Sequence, residues 1–155
     1  MKSGLVLEGG AMRGLFTAGV IDVFLENDIT FDLAIGVSAG AAFGVNLKSE
    51  QKGRVLRYNM RFAGKPYYAS WKSWRRSGNL YAANFCYHIL PDKLDVFDKE
   101  KFMTNPMDFW CVATDAATGE PVYHQLHDAG YVDLEWIRAS SSIPFFAHPV
   151  AIRGH

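Results

Sequence analysis

Ser38 stands at the centre of a glycine-flanked pentapeptide, Gly36-Val37-Ser38-Ala39-Gly40. A serine hydroxyl is a poor nucleophile unless it is presented to a base and to a substrate at once, without neighbouring side chains in the way. A sharp strand-to-helix turn achieves this presentation, and it needs small residues two positions before and two after the serine. The pattern therefore predicts a nucleophilic serine for acyl transfer. The alternative interpretation is that Ser38 only caps the helix that follows.

Acyl transfer also needs hydrogen-bond donors aimed at the developing oxyanion, and exposed backbone N–H groups supply them. A second glycine-rich run offers such groups at its first three residues: Gly9-Gly10-Ala11-Met12-Arg13-Gly14. The backbone N–H of Ala39, at the start of the predicted helix, is a further candidate donor. Arg13 is expected to orient the run, which we treat as one oxyanion loop ending at Gly14.

The same run has a competing interpretation as a dinucleotide-binding fingerprint, because it follows the first predicted strand. Two details disagree with that interpretation. Ala11 stands where the middle glycine would let a pyrophosphate approach, and no acidic residue ends the second strand, where Ile35 and Gly36 stand. Dinucleotide binding therefore stays the weaker alternative, and we predict no cofactor.

Short apolar runs alternate with helical patterns in the first third of the chain. The predicted elements are a strand over Gly4–Leu7, a helix over Leu15–Asn27, a strand over Phe31–Gly36 and a helix over Ala39–Asn46. Strand, helix, strand, helix in this order predicts an α/β fold whose parallel sheet is covered by helices. Both glycine motifs then lie at the same edge of that sheet.

Regular patterns return after residue 108. We predict a buried strand over Phe109–Thr114 that forms a hairpin with a strand over Val122–Gln125. Asp133 is predicted to cap a helix over Leu134–Ser140, and Pro149–Ile152 is predicted to begin one more strand.

Composition fits a single domain without cofactor or metal. The chain has 155 residues, 49% of them hydrophobic, with 16 basic and 16 acidic side chains. This balance gives no overall attraction to nucleic acid. Cys86 and Cys111 form neither a CxxC pair nor a disulfide framework, and the spacing of His124 and His127 is weak evidence for a metal. The N-terminus lacks a signal sequence pattern, so we expect a cytoplasmic protein.

The middle of the chain concentrates positive charge and aromatic residues. Eight basic residues and no acidic residue lie between Gln51 and Pro91, so the rest of the chain carries a net charge of −8. Over Lys52–Arg76 this composition suits a peripheral contact with the inner face of a membrane, where aromatics lie at headgroup level and cations meet anionic lipid. Two other interpretations of the segment stay open: a core beneath a basic face, and an oligomer contact. A membrane-surface binding module without turnover is an alternative to the acyl-transfer enzyme. The oligomeric state is not predicted.

Taken together, these motifs resemble the patatin-like phospholipase family, especially its bacterial cytoplasmic members. The resemblance rests on the run ending in Arg13-Gly14, on the pentapeptide around Ser38, and on their spacing. A third block, Ala139-Ser140-Ser141-Ser142-Ile143-Pro144, is similar to an Ala-Ser-x-x-x-Pro segment of that family. Ala11 replaces the third glycine usual in the family's oxyanion motif, which a backbone donor tolerates if its φ is negative.

The resemblance implies a three-layer α/β/α fold and hydrolysis of lipid or phospholipid esters by a Ser-Asp dyad. The family's Asp-Gly-Gly or Asp-Gly-Ala motif, which carries the base, does not occur before His155. We therefore expect residues 1–155 to be the N-terminal part of a single domain, incomplete at its C-terminus, and inactive by itself. Asp115 and Asp133 lack the expected sequence context. A histidine base is a further alternative, and His148 and His155 come late in the sequence, as in a Ser-His-Asp triad.

Overall fold

The computed structural model describes residues 2–152 and contains a four-stranded sheet. The strands, in spatial order, are β1 (Gly4–Leu7), β2 (Leu33–Val37), β3 (Asp108–Thr114) and β4 (Pro121–Leu126). The first three strands are parallel and β4 pairs with β3 in the antiparallel direction. The predicted α/β class, the mostly parallel sheet and the hairpin are confirmed.

Six α-helices occur in the described residues: α1 (Gly14–Glu26), α2 (Ala39–Lys48), α3 (Arg54–Phe62), α4 (Trp71–Ser77), α5 (Lys99–Thr104) and α6 (Tyr131–Ser140). A 3₁₀ turn (Ala11–Arg13) precedes α1, and a π-helical segment (Phe85–Leu94) precedes α5. None of the helices in residues 2–152 combines the length and apolar character needed to cross a bilayer.

One face of the sheet forms the main hydrophobic core. Leu7, Ala34, Phe109 and Cys111 are buried there, and α2 and α6 pack on this side. Right-handed crossovers that move across a sheet in one direction place their helices on the same face. On the opposite face, Val6 is 78% exposed. Within residues 2–152, the face that carries Val6 is therefore less covered than the face against which α2 and α6 pack.

The small residues of α2 let the helix lie close against the sheet. A Cβ on Gly44 would come within 2.4 Å of Leu7 Cδ1 and within 2.9 Å of the Phe109 ring. The run of alanine and glycine after Ser38 therefore sets the distance between the helix that follows the serine and the strands beneath it.

Two details of the predicted elements are wrong. The helix of residues 131–140 begins at Tyr131 after Gly130, so Asp133 lies inside its first turn and does not cap it. Instead the Asp133 carboxylate accepts hydrogen bonds from three backbone N–H groups of the preceding loop, those of residues 127, 128 and 129. Residues 149–152 form no strand, although Ile152 packs against the main core.

The basic and aromatic segment divides into a buried part and an exposed part. Arg54 is buried, donates hydrogen bonds to Asn46 Oδ1 at 3.1 Å and to the Asp95 carbonyl oxygen at 2.5 Å, and its pKa is lowered by burial. Tyr58, Phe62 and Tyr68 form a second core cluster. The interpretation as core beneath a basic face is therefore correct for this part, whereas the aromatic residues of α4 remain on the surface.

Candidate active site

Ser38 occupies the turn between β2 and α2 in a strained backbone conformation. Its φ is 53° and its ψ is −119°, in a region that a residue with a side chain rarely adopts. Such strain persists only where the surrounding structure enforces it, and it is typical of functional sites. The half-buried Ser38 side chain makes no capping hydrogen bond to the helix. The structure therefore does not bear out the helix-cap interpretation, and the hydroxyl is not engaged by the helix it precedes.

Two glycines make this turn sterically possible. A Cβ on Gly36 would lie 2.6 Å from the Ala41 backbone nitrogen, and one on Gly40 would lie 2.1 Å from the Leu7 carbonyl oxygen. Real Cβ atoms do not approach backbone atoms so closely, so the strand and helix meet at this distance only because both positions lack a side chain.

Ser140 ties the Ser38 turn to the neighbouring strand. Its Oγ accepts a hydrogen bond from the Ser38 N–H at 2.7 Å and donates one to the Val112 carbonyl oxygen at 2.5 Å. One hydroxyl at the end of α6 thus links the turn after β2 to β3. The sequence indicated Ser140 only as a member of the Ala-Ser-x-x-x-Pro block. It gave no other sign that this hydroxyl would hydrogen-bond to the Ser38 turn.

Replacing Ser140 with alanine is expected to loosen this turn, because the Ser38 N–H and the Val112 carbonyl both lose their partner. For the acyl transfer predicted from the sequence, we expect kcat to fall by roughly ten- to a hundredfold with little change in KM. The free energy of unfolding should fall by about 1–3 kcal/mol. Ser140→Thr keeps a hydroxyl and should lose less activity than Ser140→Ala. Equal losses of kcat in both variants would contradict a positioning role for the hydroxyl.

The predicted oxyanion loop lies beside Ser38. A Cβ on Gly9 would be 3.1 Å from Ser38 Cβ and 3.8 Å from Ser38 Oγ, so the Gly9 backbone is adjacent to the serine. Ala11 lines the same cavity as Ser38 and Ala39. The Arg13 side chain folds back along the loop, since a Cβ on Gly10 would lie 3.9 Å from Arg13 Nε.

Gly14 closes the loop at the point where α1 meets α2. A Cβ there would lie 2.9 Å from Ala39 Cβ and 3.0 Å from the Phe43 ring, so this position also favours glycine. The loop is therefore packed at both ends against the segment that carries Ser38.

Ala11 corrects an expectation about this loop. Its φ is 47°, in the left-handed region. From the sequence we expect a negative φ, the condition under which alanine replaces glycine as a backbone donor without strain. A residue with a Cβ costs roughly 1–2 kcal/mol more than glycine in this region. The loop therefore keeps the glycine-like conformation although the glycine is absent.

Replacing Ala11 with glycine should relieve this strain. We expect the free energy of unfolding to rise by about 1 kcal/mol, measured by urea denaturation. The gain should occur without a change in KM if the loop conformation is unchanged. A loss of stability would show that the left-handed conformation at Ala11 is not the one adopted in solution.

Ser38 opens into a largely apolar cavity of about 400 Å³. Its walls come from α2, the segment of residues 79–91, α6 and the loop that follows α6; the apolar lining residues include Phe43, Leu80, Leu90, Leu134, Ile137 and Phe146. A pocket of this size with apolar walls suits a hydrocarbon chain whose polar end lies at the serine.

Burial keeps the Cys86 thiol and the Tyr87 hydroxyl of the cavity protonated. It raises the pKa of the Cys86 thiol to about 12, and it raises the pKa of the Tyr87 hydroxyl above its ordinary value. A thiol with such a pKa is protonated at neutral pH, so Cys86 does not compete with Ser38 as a nucleophile.

Neither candidate aspartate lies in this cavity. Asp133 is held by backbone N–H groups and by His124 Nε2 at 3.0 Å. Asp115 lies at the same sheet edge as Ser38, but its carboxylate accepts from the N–H groups of Ala117 and Thr118 in the hairpin turn. No Asp or Glu within residues 2–152 lines the cavity.

The described histidines lie outside this cavity. His88 Nε2 lies 3.0 Å from Glu135 Oε1, and the backbone N–H of His148 donates to Asn79 Oδ1. None of the described histidines lines the cavity of Ser38, and His155 lies outside the described residues. In the part of the chain that the structure describes, no group of three or more His, Cys, Asp or Glu side chains is arranged to hold a metal ion.

Comparison with known proteins identifies the family of this chain. The model of the patatin-like phospholipase family matches residues 5–155. The chain is 30% identical over 154 residues to the uncharacterized protein YjjU of Escherichia coli strain K12, covering 97% of this chain and 43% of YjjU. It is 28% identical over 157 residues to the lysophospholipases nte1 of Aspergillus fumigatus and Neosartorya fischeri, covering 97% of this chain and 10% of each. The chain thus spans less than half the length of these relatives.

Proposed function

Because this chain belongs to the patatin-like phospholipase family, we propose that the protein hydrolyses carboxylic esters of phospholipids or related lipids through an acyl-enzyme on Ser38. The observation that carries the proposal is the strained turn of Ser38. The Ser38 hydroxyl makes no capping hydrogen bond to α2, and it opens into an apolar cavity. The positions two residues before and two residues after the serine, Gly36 and Gly40, have no space for a side chain. This crowding supports a functional role for the shape of the turn.

In the proposed reaction, Ser38 Oγ attacks the ester carbonyl carbon and its proton passes to a base. The carbonyl oxygen becomes an oxyanion, which in this proposal accepts hydrogen bonds from the backbone N–H groups of the Gly9–Ala11 loop and of Ala39. Collapse of the tetrahedral intermediate breaks the ester bond and releases the alcohol, which takes up the proton. Water then attacks the acyl-enzyme in the same geometry and releases the fatty acid.

The base in this proposal is an aspartate, as in the family's Ser-Asp dyad, and it lies outside the described residues. This part of the proposal is supported by the carboxylates of Asp115 and Asp133, which are occupied by backbone donors. Neither of these carboxylates lines the cavity into which Ser38 opens.

The bond that is cleaved tests the proposed function. The full-length protein should release free fatty acid from phosphatidylcholine or lysophosphatidylcholine, detected by mass spectrometry. The phosphate should stay attached to glycerol, because the serine attacks a carboxylic ester and not a phosphodiester. Release of phosphocholine with diacylglycerol, or no fatty acid from any lipid ester, would overturn the proposal.

Dinucleotide binding is not part of this proposal. The Gly9 backbone packs against Ser38, which leaves the loop directed at the serine.

A further inference from the structure

Helix α4 carries two tryptophans on the protein surface. Trp71 is 65% exposed and Trp74 is 37% exposed, and their ring centroids lie 5.8 Å apart. Residues three apart lie on the same side of a helix, so the two indoles form one continuous apolar surface. An exposed tryptophan pair of this kind marks a site of interaction, because apolar contact area is costly to leave in water.

Three cations flank this pair. Lys72, Arg75 and Arg76 are exposed, and none of them forms an ion pair among residues 2–152. With no acidic residue between Gln51 and Pro91, their positive field is not neutralised locally by sequence neighbours. The helix thus presents indole rings beside unpaired positive charge.

A loop after α6 completes the surface. Trp74 Nε1 donates a hydrogen bond to the Phe145 carbonyl oxygen at 2.8 Å, and Trp71 packs on Phe146 with ring centroids 6.3 Å apart. Phe145 itself is 89% exposed and has a φ of 70°, a strained conformation for a phenylalanine. Contacts among residues 2–152 do not account for a bulky apolar side chain held in solvent this way. We call these residues the α4 patch: Trp71, Lys72, Trp74, Arg75, Arg76, Phe145 and Phe146.

The α4 patch is continuous with the cavity of Ser38. Phe146 belongs to both, since it packs on Trp71 and also lines the cavity. Ile143, Ala147 and Leu80 line the cavity from the same loop and from the segment after α4, and the Leu80 N–H donates to the Phe146 carbonyl oxygen. A ligand that covers the patch therefore also faces one wall of the cavity.

We propose that the α4 patch docks the protein on an anionic lipid bilayer, with Trp71, Trp74 and Phe145 at headgroup level and the three cations against lipid phosphates. Indole rings prefer the membrane interface, and each Lys or Arg near an anionic surface strengthens binding by roughly fivefold. A bilayer held at the α4 patch supplies acyl chains to the part of the cavity wall that Phe146 shares with the patch. This role in substrate delivery rests on the proposed function.

Charge complementarity favours a bilayer over other occupants. The exposed indoles suit the apolar boundary of a bilayer, and the unpaired cations beside them suit its anionic headgroups. Both kinds of group lie on one short helix. A second copy of this chain would place the same cations against one another, and like charges in contact oppose association.

Vesicle flotation tests the docking with three forms of the full-length protein: wild type, Trp71→Ala/Phe145→Ala and Lys72→Gln/Arg75→Gln/Arg76→Gln. The vesicles are phosphatidylcholine alone and an equal mixture of phosphatidylcholine and phosphatidylglycerol. Wild type should bind the mixed vesicles and much less the neutral ones. The aromatic variant should bind mixed vesicles at least about tenfold more weakly. The charge variant should bind them roughly a hundredfold more weakly.

Tyr123→Ala is the matched control, because Tyr123 is an exposed aromatic residue on β4 that does not line the cavity. It should bind vesicles as wild type does. All variants should hydrolyse a soluble short-chain ester at the wild-type rate, which verifies folding. Equal binding by wild type and both patch variants would overturn the docking proposal. So would a loss of self-association in the patch variants, measured by light scattering, without a loss of vesicle binding.

Ser38→Ala separates this inference from the proposed function. If Ser38→Ala and wild type both bind vesicles but neither releases fatty acid, the docking stands and the hydrolase proposal fails. If wild type cleaves soluble esters but does not bind anionic vesicles, the hydrolase proposal stands and the docking fails.

Discussion

Ser38→Ala is expected to lower kcat/KM for ester hydrolysis by about 10⁴-fold or more in the full-length protein. Removing the hydroxyl removes the atom that would bond to the acyl carbon, whereas the cavity and the loop of Gly9–Ala11 remain. The variant should therefore still bind the lipid substrate. Fatty-acid release and equilibrium binding of a fluorescent lipid, measured on the same preparation, separate the two effects.

Ser142→Ala provides the matched control for this loss. Ser142 also lines the cavity, but its Oγ donates to the Arg138 carbonyl oxygen at 2.9 Å and has no place in the proposed reaction. Its replacement should change kcat/KM by less than about threefold, corresponding to less than one exposed hydrogen bond. If Ser142→Ala abolished hydrolysis and Ser38→Ala did not, the assignment of the nucleophile would be wrong.

Gly40→Ala is expected to have the largest effect on folding. The added Cβ would lie 2.1 Å from the Leu7 carbonyl oxygen and 2.7 Å from the Glu8 carbonyl oxygen, both backbone atoms that no rotamer change can move. Helix α2 and strand β1 must then separate, which should lower the free energy of unfolding by about 3 kcal/mol. The same displacement would move Ser38 relative to the oxyanion loop, so any folded fraction should have reduced activity.

The control for this change is Gly19→Ala, on the exposed side of α1. A Cβ there meets no atom within 4 Å. Alanine is a better helix former than glycine, so this variant should gain about 1 kcal/mol. Urea denaturation of both variants measures the contrast, and a Gly40→Ala variant within about 1 kcal/mol of wild type would show that the contact between α2 and β1 is looser than described.

Local patterns in the sequence were sufficient for the sheet and for the turn around Ser38. Strand β1 occupies the predicted residues Gly4–Leu7, and α1 ends at Glu26, one residue before its predicted end at Asn27. These elements follow from runs of apolar residues and from turn residues close by in sequence, which encode local conformation directly. The requirement for glycine at residues 36 and 40 was likewise a consequence of one turn.

Features that depend on distant contacts could not be predicted in this way. Ser140 lies 102 residues from Ser38 in sequence, and only the packing of α6 brings its hydroxyl to the turn. Asp133 was assigned to a helix cap because its residue type suits that position, but the loop before the helix supplies three N–H donors that compete for it. The positive φ of Ala11 depends on the fit of the loop against Ser38, which residue type alone does not specify.

The basic segment shows the same limit in another form. Composition over Lys52–Arg76 suggested one surface, but burial separates Arg54 and Tyr58 from the exposed residues of α4. Helix α3 is held against α2 by the hydrogen bond from Arg54 to Asn46. A count of cations and aromatics does not distinguish a buried guanidinium with partners from an exposed one without them.

The identity of the nucleophile is tested most directly by reaction with a fluorophosphonate, which forms a stable bond with an activated serine hydroxyl. Peptide mass spectrometry of the labelled full-length protein should locate the phosphonyl group on Ser38, and Ser38→Ala should remain unlabelled. Labelling of another residue, or an unlabelled Ser38 in a protein that still hydrolyses lipid esters, would contradict the account.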